Sequence, residues 1–407
     1  MTSAPAPDPR AGVGPASRPL RRMKARSRAE PHRAATPLEL FFDLCFVVAV
    51  GQAGVQLVHA LAEGHYATGI LGYGYVFFGV WWAWMNFTWF ASAYDCDDVP
   101  YRLATFIQIS GVLVYAAGVP RAFADNDWTI AVIGYLLMRV ALTAQWLRAA
   151  ASEPPGPARR TNTRYAAGLV ICQAAWVALL AAPEGMRRWL FLVAVVAELL
   201  VPVIAERDHQ TSWHPHHIVE RYGLFTLIVL GETMYAATTG VQSALDETDA
   251  VFELLPIACG GLLIVFSAWW VYFAVPAHER LNSNREAIPW GYGHLLIFAS
   301  AAAIGAGLEV AVEEAVHKAH VSTTAAAATV TIPAAAFVLV VWALHSRHFK
   351  RGVAEQLTLP MCGLAILACT FAGQWAVFAA GLVSAATVAA GVTLTTRHAR
   401  PTRPQLR

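Results

Sequence analysis

Two carboxylates four residues apart, Glu39 and Asp43, stand at the head of a long apolar run in the stretch TPLELFFDLCFVVAVGQ. At helical periodicity they share one face, about one turn apart. Two acids so placed repel each other when both are ionised, so the face calls for a cation or a shared proton. The chemistry open to the pair is cation or proton entry. The alternative is structural: the acids cap the positive end of the helix or pair with a neighbour. Gln52, Gln56 and His59 fall on the opposite side of the same run, so this helix is polar on two sides and reads as central.

Arg139 lies near the middle of another apolar run, too deep to reach water easily, and a charge there is costly without a partner. Depth along each run, at about 1.5 Å per residue, ranks Glu198 first as that partner, then Asp43, then Glu232. The pair can be a lock between helices or a group that holds substrate charge.

The polar loops offer weaker signals. Glu220 and Arg221 open a later apolar run, just after the cluster Asp208, His209, His214, His216 and His217. Imidazoles and carboxylates can hold a transition metal, but no ligand motif is complete, and no metal or cofactor is assigned. Asp95, Asp97 and Asp98 precede Pro100 and Arg102 and read as a solvated loop capping a helix. His294 sits inside an apolar run and can titrate near neutral pH or be a satisfied interior histidine. The six cysteines lie mostly in apolar runs without CxxC spacing and read as small buried hydrophobes. There is no nucleophile elbow, P-loop, dinucleotide fingerprint or H-E-x-x-H motif, so no enzymatic activity is expected.

These residues need elements to position them. Of 407 residues, 57% are hydrophobic and 14% charged, and the mean hydropathy is +0.47, which excludes an ordinary soluble enzyme. Twelve apolar runs are long enough to span about 30 Å of hydrocarbon as helices. They cover 38–61, 69–92, 101–119, 128–148, 164–182, 189–205, 218–239, 254–276, 288–312, 322–345, 353–372 and 374–394, the last two forming the least separated hairpin. Residues 1–37 read as a disordered basic tail without a signal peptide, 206–217 as a His-rich linker and 395–407 as a second basic tail. A Pro/Gly-rich linker covers 151–163.

With the N-terminus inside, inner segments carry 24 lysines and arginines and outer loops 4. That split places both termini in the cytoplasm and predicts an inner-membrane, multi-pass protein. The basic tails suit anionic lipid rather than nucleic acid. Glu39 and Glu220 each head similar stretches, and tryptophan clusters and prolines recur at offsets of 181 to 189. An all-α membrane fold of two parallel six-helix repeats, 38–205 and 218–394, follows as the expectation, and in repeat-built transporters the site lies between the repeats. Gly305 and Gly307 are small residues suited to close helix contact.

The stretches TPLELFFDLCFVVAVGQ and HHIVERYGLFTLIVLGET, with the D-x-D-D before Pro100 and Arg102, resemble the bacterial low temperature requirement protein A family over residues 36 to 394. The resemblance implies a multi-pass bacterial membrane protein and no particular mechanism. The F-F-D of the first run is also similar to the F-S-D first-helix motif of the endolysosomal potassium and proton channel family. Here Phe42 stands for its serine, and Gly223 or Leu224 for the acid in the second repeat.

The charges together point to transport of an ion, proton or small solute between the repeats. Asp43 and Glu232 would relay a cation or proton, Glu39 would share the entry, and Arg139, held by Glu198, would tune them. The alternative is a membrane scaffold or bilayer-state sensor in which the same charges lock helices.

Overall fold

The computed structural model describes residues 20–28, 30, 33–247, 250–350 and 352–399, and all regular structure in them is helical. Twelve α-helices follow in order. They are α1 (Pro37–Ala62), α2 (Tyr66–Tyr94), α3 (Val99–Ala124), α4 (Thr129–Ser152), α5 (Pro157–Leu180), α6 (Glu184–Ala205), α7 (Pro215–Glu247), α8 (Val251–Tyr272), α9 (Asn284–Ala315), α10 (Thr323–Leu344), α11 (Val353–Cys369) and α12 (Ala376–Ala399). Ten of them are long and apolar enough to cross a membrane.

Of the twelve expected spans, α2 and α11 are the two that do not meet that length and hydropathy. α2 has the length, but tryptophans, tyrosines and Asn86 dilute its hydropathy, and most of it is buried among other helices. α11 has 17 residues, about 26 Å at the helical rise, and falls short of the hydrocarbon thickness. It is separated from α12 by a turn in which Gly373 takes a φ of +61°, a conformation that favours glycine.

Local chemistry starts the helices where the caps are. Thr36 and Glu39 form a reciprocal capping box at α1, with Pro37 in the first turn. Asp98 caps α3 by accepting from Tyr101 N, and Ser322 caps α10 by accepting from Ala325 N. α7 begins at Pro215, so His216 and His217 lie in its first turn rather than in a linker. Helix neighbours run α2–α1–α3–α4–α5–α6 and α8–α7–α9–α10–α11–α12, with α12 returning onto α8 and α1 packed against α7 and α9. Where α3 meets α4 the backbones touch: a Cβ on Gly134 would overlap Tyr115 and Gly111. Gly305 faces Thr233 of α7, and Gly307 faces Thr329 of α10.

The centre is aromatic. Trp84 stacks on Phe225 at 4.5 Å and meets Tyr222 edge-on at 4.9 Å, while Phe42 lies 4.0 Å from Phe87. The outside is aliphatic: α6 turns Val193, Val196, Leu200 and Val203 outward. A bundle with such a rim needs an apolar solvent around it.

The segment from Leu20 is not a free tail, as the composition suggested. Met23 is buried, and Arg26 N donates to Ala93 O at 2.8 Å. Arg33 Nη2 donates to Ala91 O at 2.7 Å and Nη1 to Ser92 O. Arg33 thus neutralises the carbonyl end of α2, where a cation is favoured. Asp98 clasps the same segment, accepting from Arg21 N at 2.8 Å and from Arg148 Nη1 at 2.9 Å. Burial would raise the Asp98 carboxyl, but Arg148 and the backbone donors outweigh it and hold it at about 2. Residues 1–19 and 400–407 lie outside the described residues, so the outer parts of both expected tails do too.

Candidate functional site

Three groups of charge occupy the bundle, and they do not form one site. The first is at the end that carries the start of α1. There the acidic i, i+4 pair of α1, Glu39 and Asp43, meets a basic i, i+4 pair of α7, His217 and Arg221. Arg221 Nε donates to Asp43 Oδ2 at 3.1 Å and Nη2 to Oδ1 at 2.5 Å. Its Nη1 lies 3.0 Å from Glu39 Oε1, and His217 Nε2 lies 3.1 Å from the same oxygen. Trp84 Nε1 also donates to Asp43 Oδ1, at 2.7 Å, and Thr36 N to Glu39 Oε2, at 2.8 Å. All four side chains of the two pairs are sealed from solvent.

The shell around this cluster is charged as well. Arg33 Nη2 stands 3.7 Å from Glu39 and 3.9 Å from Asp95, and Arg26 stands 3.8 Å from Asp95. Burial and the Glu39 charge push the Asp95 carboxyl up to about 6, against the pull of Arg33. Glu220, singled out in the sequence, is not a member: its Oε1 accepts from Ala35 N at 3.4 Å, and Oε2 is buried without a hydrogen bond. The residue beside it, Arg221, fills the role.

The second group lies within α2, α4, α5 and α6. Arg139 Nη2 pairs with Glu198 Oε2. The carboxylate also accepts from Trp82 Nε1 at 2.8 Å, Tyr135 OH at 3.0 Å, Trp176 Nε1 at 3.1 Å and Gln173 Nε2 at 3.5 Å. Arg139 Nε and Nη1 have no hydrogen bond, and its guanidinium lies 5.3 Å from the Tyr135 ring centre. The acid is fully served and the base only in part. Neither Asp43 nor Glu232 reaches this pair.

The third group follows the seam of α1, α7 and α9 toward the other end. Glu232 is half-buried, and its carboxylate points at the space left by the missing side chain of Gly51. One position on, Thr233 donates to Ala301 O of α9 at 2.8 Å. Two acids missed in the sequence continue the line. Glu309 packs its stem against Gly240, and Glu313 is one turn further along α9. Among the described residues neither Glu232 nor Glu309 has a hydrogen bond or ion pair. Glu313 is near enough to His59 and Lys318 to feel their charges. At the rim, His320 Nδ1 lies 3.1 Å from Glu63. The two glutamates sit four apart inside GLEVAVEEA, an acidic i, i+4 pair in an apolar helix, which is the signal that marked Glu39 and Asp43.

Two of the other histidines singled out in the sequence are hydrogen-bonded. His214 Nε2 lies 3.0 Å from Glu30 O, and His294 bonds Trp290 O at 2.7 Å and Tyr272 OH at 3.1 Å. Among the described residues no group of three or more His, Cys, Asp or Glu is placed to hold a metal.

A chain of apolar helices with an aliphatic rim and its charges paired or gathered along an interior seam is a multi-pass integral membrane protein. The comparison with protein families sharpens this: the family described as bacterial low temperature requirement A protein (LtrA) matches residues 34–395. The chain belongs to that family. It is also similar to an uncharacterised protein of Rhizobium meliloti (strain 1021), 30% identical over 244 residues, which is 58% of this chain and 57% of the relative. The alignment therefore spans little more than half the length of that relative.

Proposed function

We propose that this protein moves protons or a small cation across the bacterial inner membrane, along the seam of α1, α7 and α9. The observation that carries the reading is Glu232. It stands about 26 Å from the start of α7 and about 22 Å from its end, in a helix apolar enough to span, with no partner charge. An unpaired acid at that depth is expensive, and such residues typically mark an ion or proton path. Glu313 and Glu309 would lead to it from the outer side.

On the other side of Glu232 the seam is closed by Phe46, Val50, Phe225 and Val229, all at most 1% exposed. Beyond that plug lies the Asp43–Arg221 pair. The geometry suits a state open to one side, with passage requiring the plug to part. In this reading Glu39 and Asp43 act as the inner latch rather than as the entry site, and the basic end with both termini faces the cytoplasm. The shared neighbour order of α1–α6 and α7–α12 supports two parallel six-helix repeats, with the path between them.

A second reading, a non-transporting scaffold, is favoured by the Arg139–Glu198 network, which locks four helices of one half and touches no path. Purified protein in liposomes with an internal pH dye separates the two. Under the transport reading an imposed potential drives a proton or cation flux that Glu232→Gln abolishes while membrane abundance is unchanged. No flux from the parent protein above protein-free liposomes would favour the scaffold.

A further inference from the structure

Between α2, α4, α5, α6 and the first turns of α9, near the end carrying the start of α1, lies a cavity of about 30 Å³. Aromatic rings form its walls: Trp82 and Trp89 of α2, Trp146 of α4, Tyr165 of α5 and Tyr292 of α9. Into it faces Glu206, the residue that caps the C-terminal end of α6. We propose that this cavity binds a compact ammonium cation, of the size of ammonium or methylammonium.

The first argument is charge. Glu206 Oε1 accepts from Tyr165 OH at 2.8 Å and from Thr211 Oγ1 at 2.6 Å, and Oε2 accepts from Asn284 Nδ2. All three donors are neutral. Among the described residues no Arg, Lys or His stands within ion-pair distance of this carboxylate: nearby Arg164 and Arg207 both turn to Asp208, at 2.7 and 3.6 Å. The half-buried carboxylate is thus held by neutral donors and has no counter-ion beside it.

The second argument is what the walls have left to offer. Trp82 Nε1 is spent on Glu198, Trp89 Nε1 on Tyr222 OH at 3.0 Å and Tyr292 OH on Leu199 O at 2.9 Å. Asn284 Oδ1 is taken by Trp213 Nε1 at 2.7 Å, and Asn86 Nδ2 donates to Trp82 O at 2.7 Å. What remains is the Asn86 side-chain oxygen, the ring faces, the carboxylate, the second N–H of the Asn86 and Asn284 amides and the buried Trp146 Nε1. Acceptors, π-faces and a negative charge attract a cation. An anion would meet the Glu206 carboxylate with no cation beside it to offset the repulsion. The volume sets the size, since a single water needs roughly 10–15 Å³ on this scale, so the cavity takes a group of one or two heavy atoms and excludes tetramethylammonium.

The test is isothermal titration of the purified full-length protein in detergent with methylammonium chloride at constant ionic strength. The expected result is a saturable isotherm that Glu206→Gln weakens at least tenfold and Trp89→Leu at least threefold. Glu232→Gln should leave it unchanged, which separates this site from the seam. Melting temperature checks that each variant is folded. Should Glu206→Gln fail to fold, Trp89→Leu, which leaves the carboxylate's hydrogen bonds alone, carries the test by itself. A heat no different from that of sodium chloride, full-strength binding in either folded variant, or equal competition by potassium or tetramethylammonium overturns the proposal.

Discussion

Arg221 of α7 holds Asp43 of α1 through two parallel contacts, at 2.5 and 3.1 Å, across 178 positions of the chain. The fork geometry of a guanidinium on a carboxylate fixes the rotation of both helices as well as their distance. Because Arg221 also touches Glu39 at 3.0 Å, which Arg33 approaches only to 3.7 Å, one guanidinium bridges two sealed acids, and the three residues act as a unit.

Removing the cation should therefore cost more than removing one acid. Arg221→Gln strands Asp43, leaves Glu39 with only the more distant Arg33 at 3.7 Å, and is expected to destabilise by about 3–5 kcal/mol, whereas Asp43→Asn leaves Arg221 with Glu39 and costs less. Adding Asp43→Asn to Arg221→Gln should recover part of the loss. Melting temperatures in one detergent check the order, and a larger loss for Asp43→Asn than for Arg221→Gln contradicts it.

The Arg139–Glu198 pair predicts the opposite asymmetry. Glu198 retains four neutral donors when Arg139 is gone, but Arg139 has no second acid. Glu198→Gln should thus cost about 3–5 kcal/mol and Arg139→Gln less, and the double variant should be more stable than Glu198→Gln alone. A thermal double-mutant cycle reads this directly.

How much of this was legible beforehand differs from residue to residue. The i, i+4 spacing of Glu39 and Asp43 placed them on one face, and depth along the runs ranked Glu198 first beside Arg139, where the structure puts it. Arg221 was read only as the start of a helix, because the helix begins a turn earlier at Pro215 and that offset decides which of Glu220 and Arg221 turns inward. Glu313 fell just past the expected end of its span at 312, so the acidic pair with Glu309 went unread. The ordering of Leu20 onward leaves no trace in composition. It rests on arginines bonding the carbonyl end of α2 and on Asp98, contacts set by where distant helices end. α2 misled for a related reason, since its aromatic residues are there to be buried by other helices rather than by lipid.

Asp95 gives the protein a pH signature. Burial raises its carboxyl to about 6 in the folded protein, against about 3.9 in an unfolded chain. Its contribution to stability is then full below pH 4 and is lost as pH rises through 6, by roughly 2–3 kcal/mol. Asp95→Asn should match the parent at pH 4 and exceed it in stability at pH 7.5. A difference that does not grow between those two values contradicts the assignment.

The last prediction concerns the space in front of Glu232. A Cβ added at Gly51 would meet the end of the Glu232 side chain, whereas one at Gly54 would meet nothing within 4 Å. The Glu232 end is flexible, so Gly51→Ala should fold, helped by alanine's preference for a helix of about 0.5–1 kcal/mol over glycine. The carboxylate must nonetheless swing away from α1. If ions or protons pass this point, Gly51→Ala lowers flux in liposomes severalfold at unchanged melting temperature, while Gly54→Ala leaves flux intact. Equal flux in both would show that the position of the Glu232 carboxylate against α1 does not matter to passage, and the seam would lose its claim to be the route.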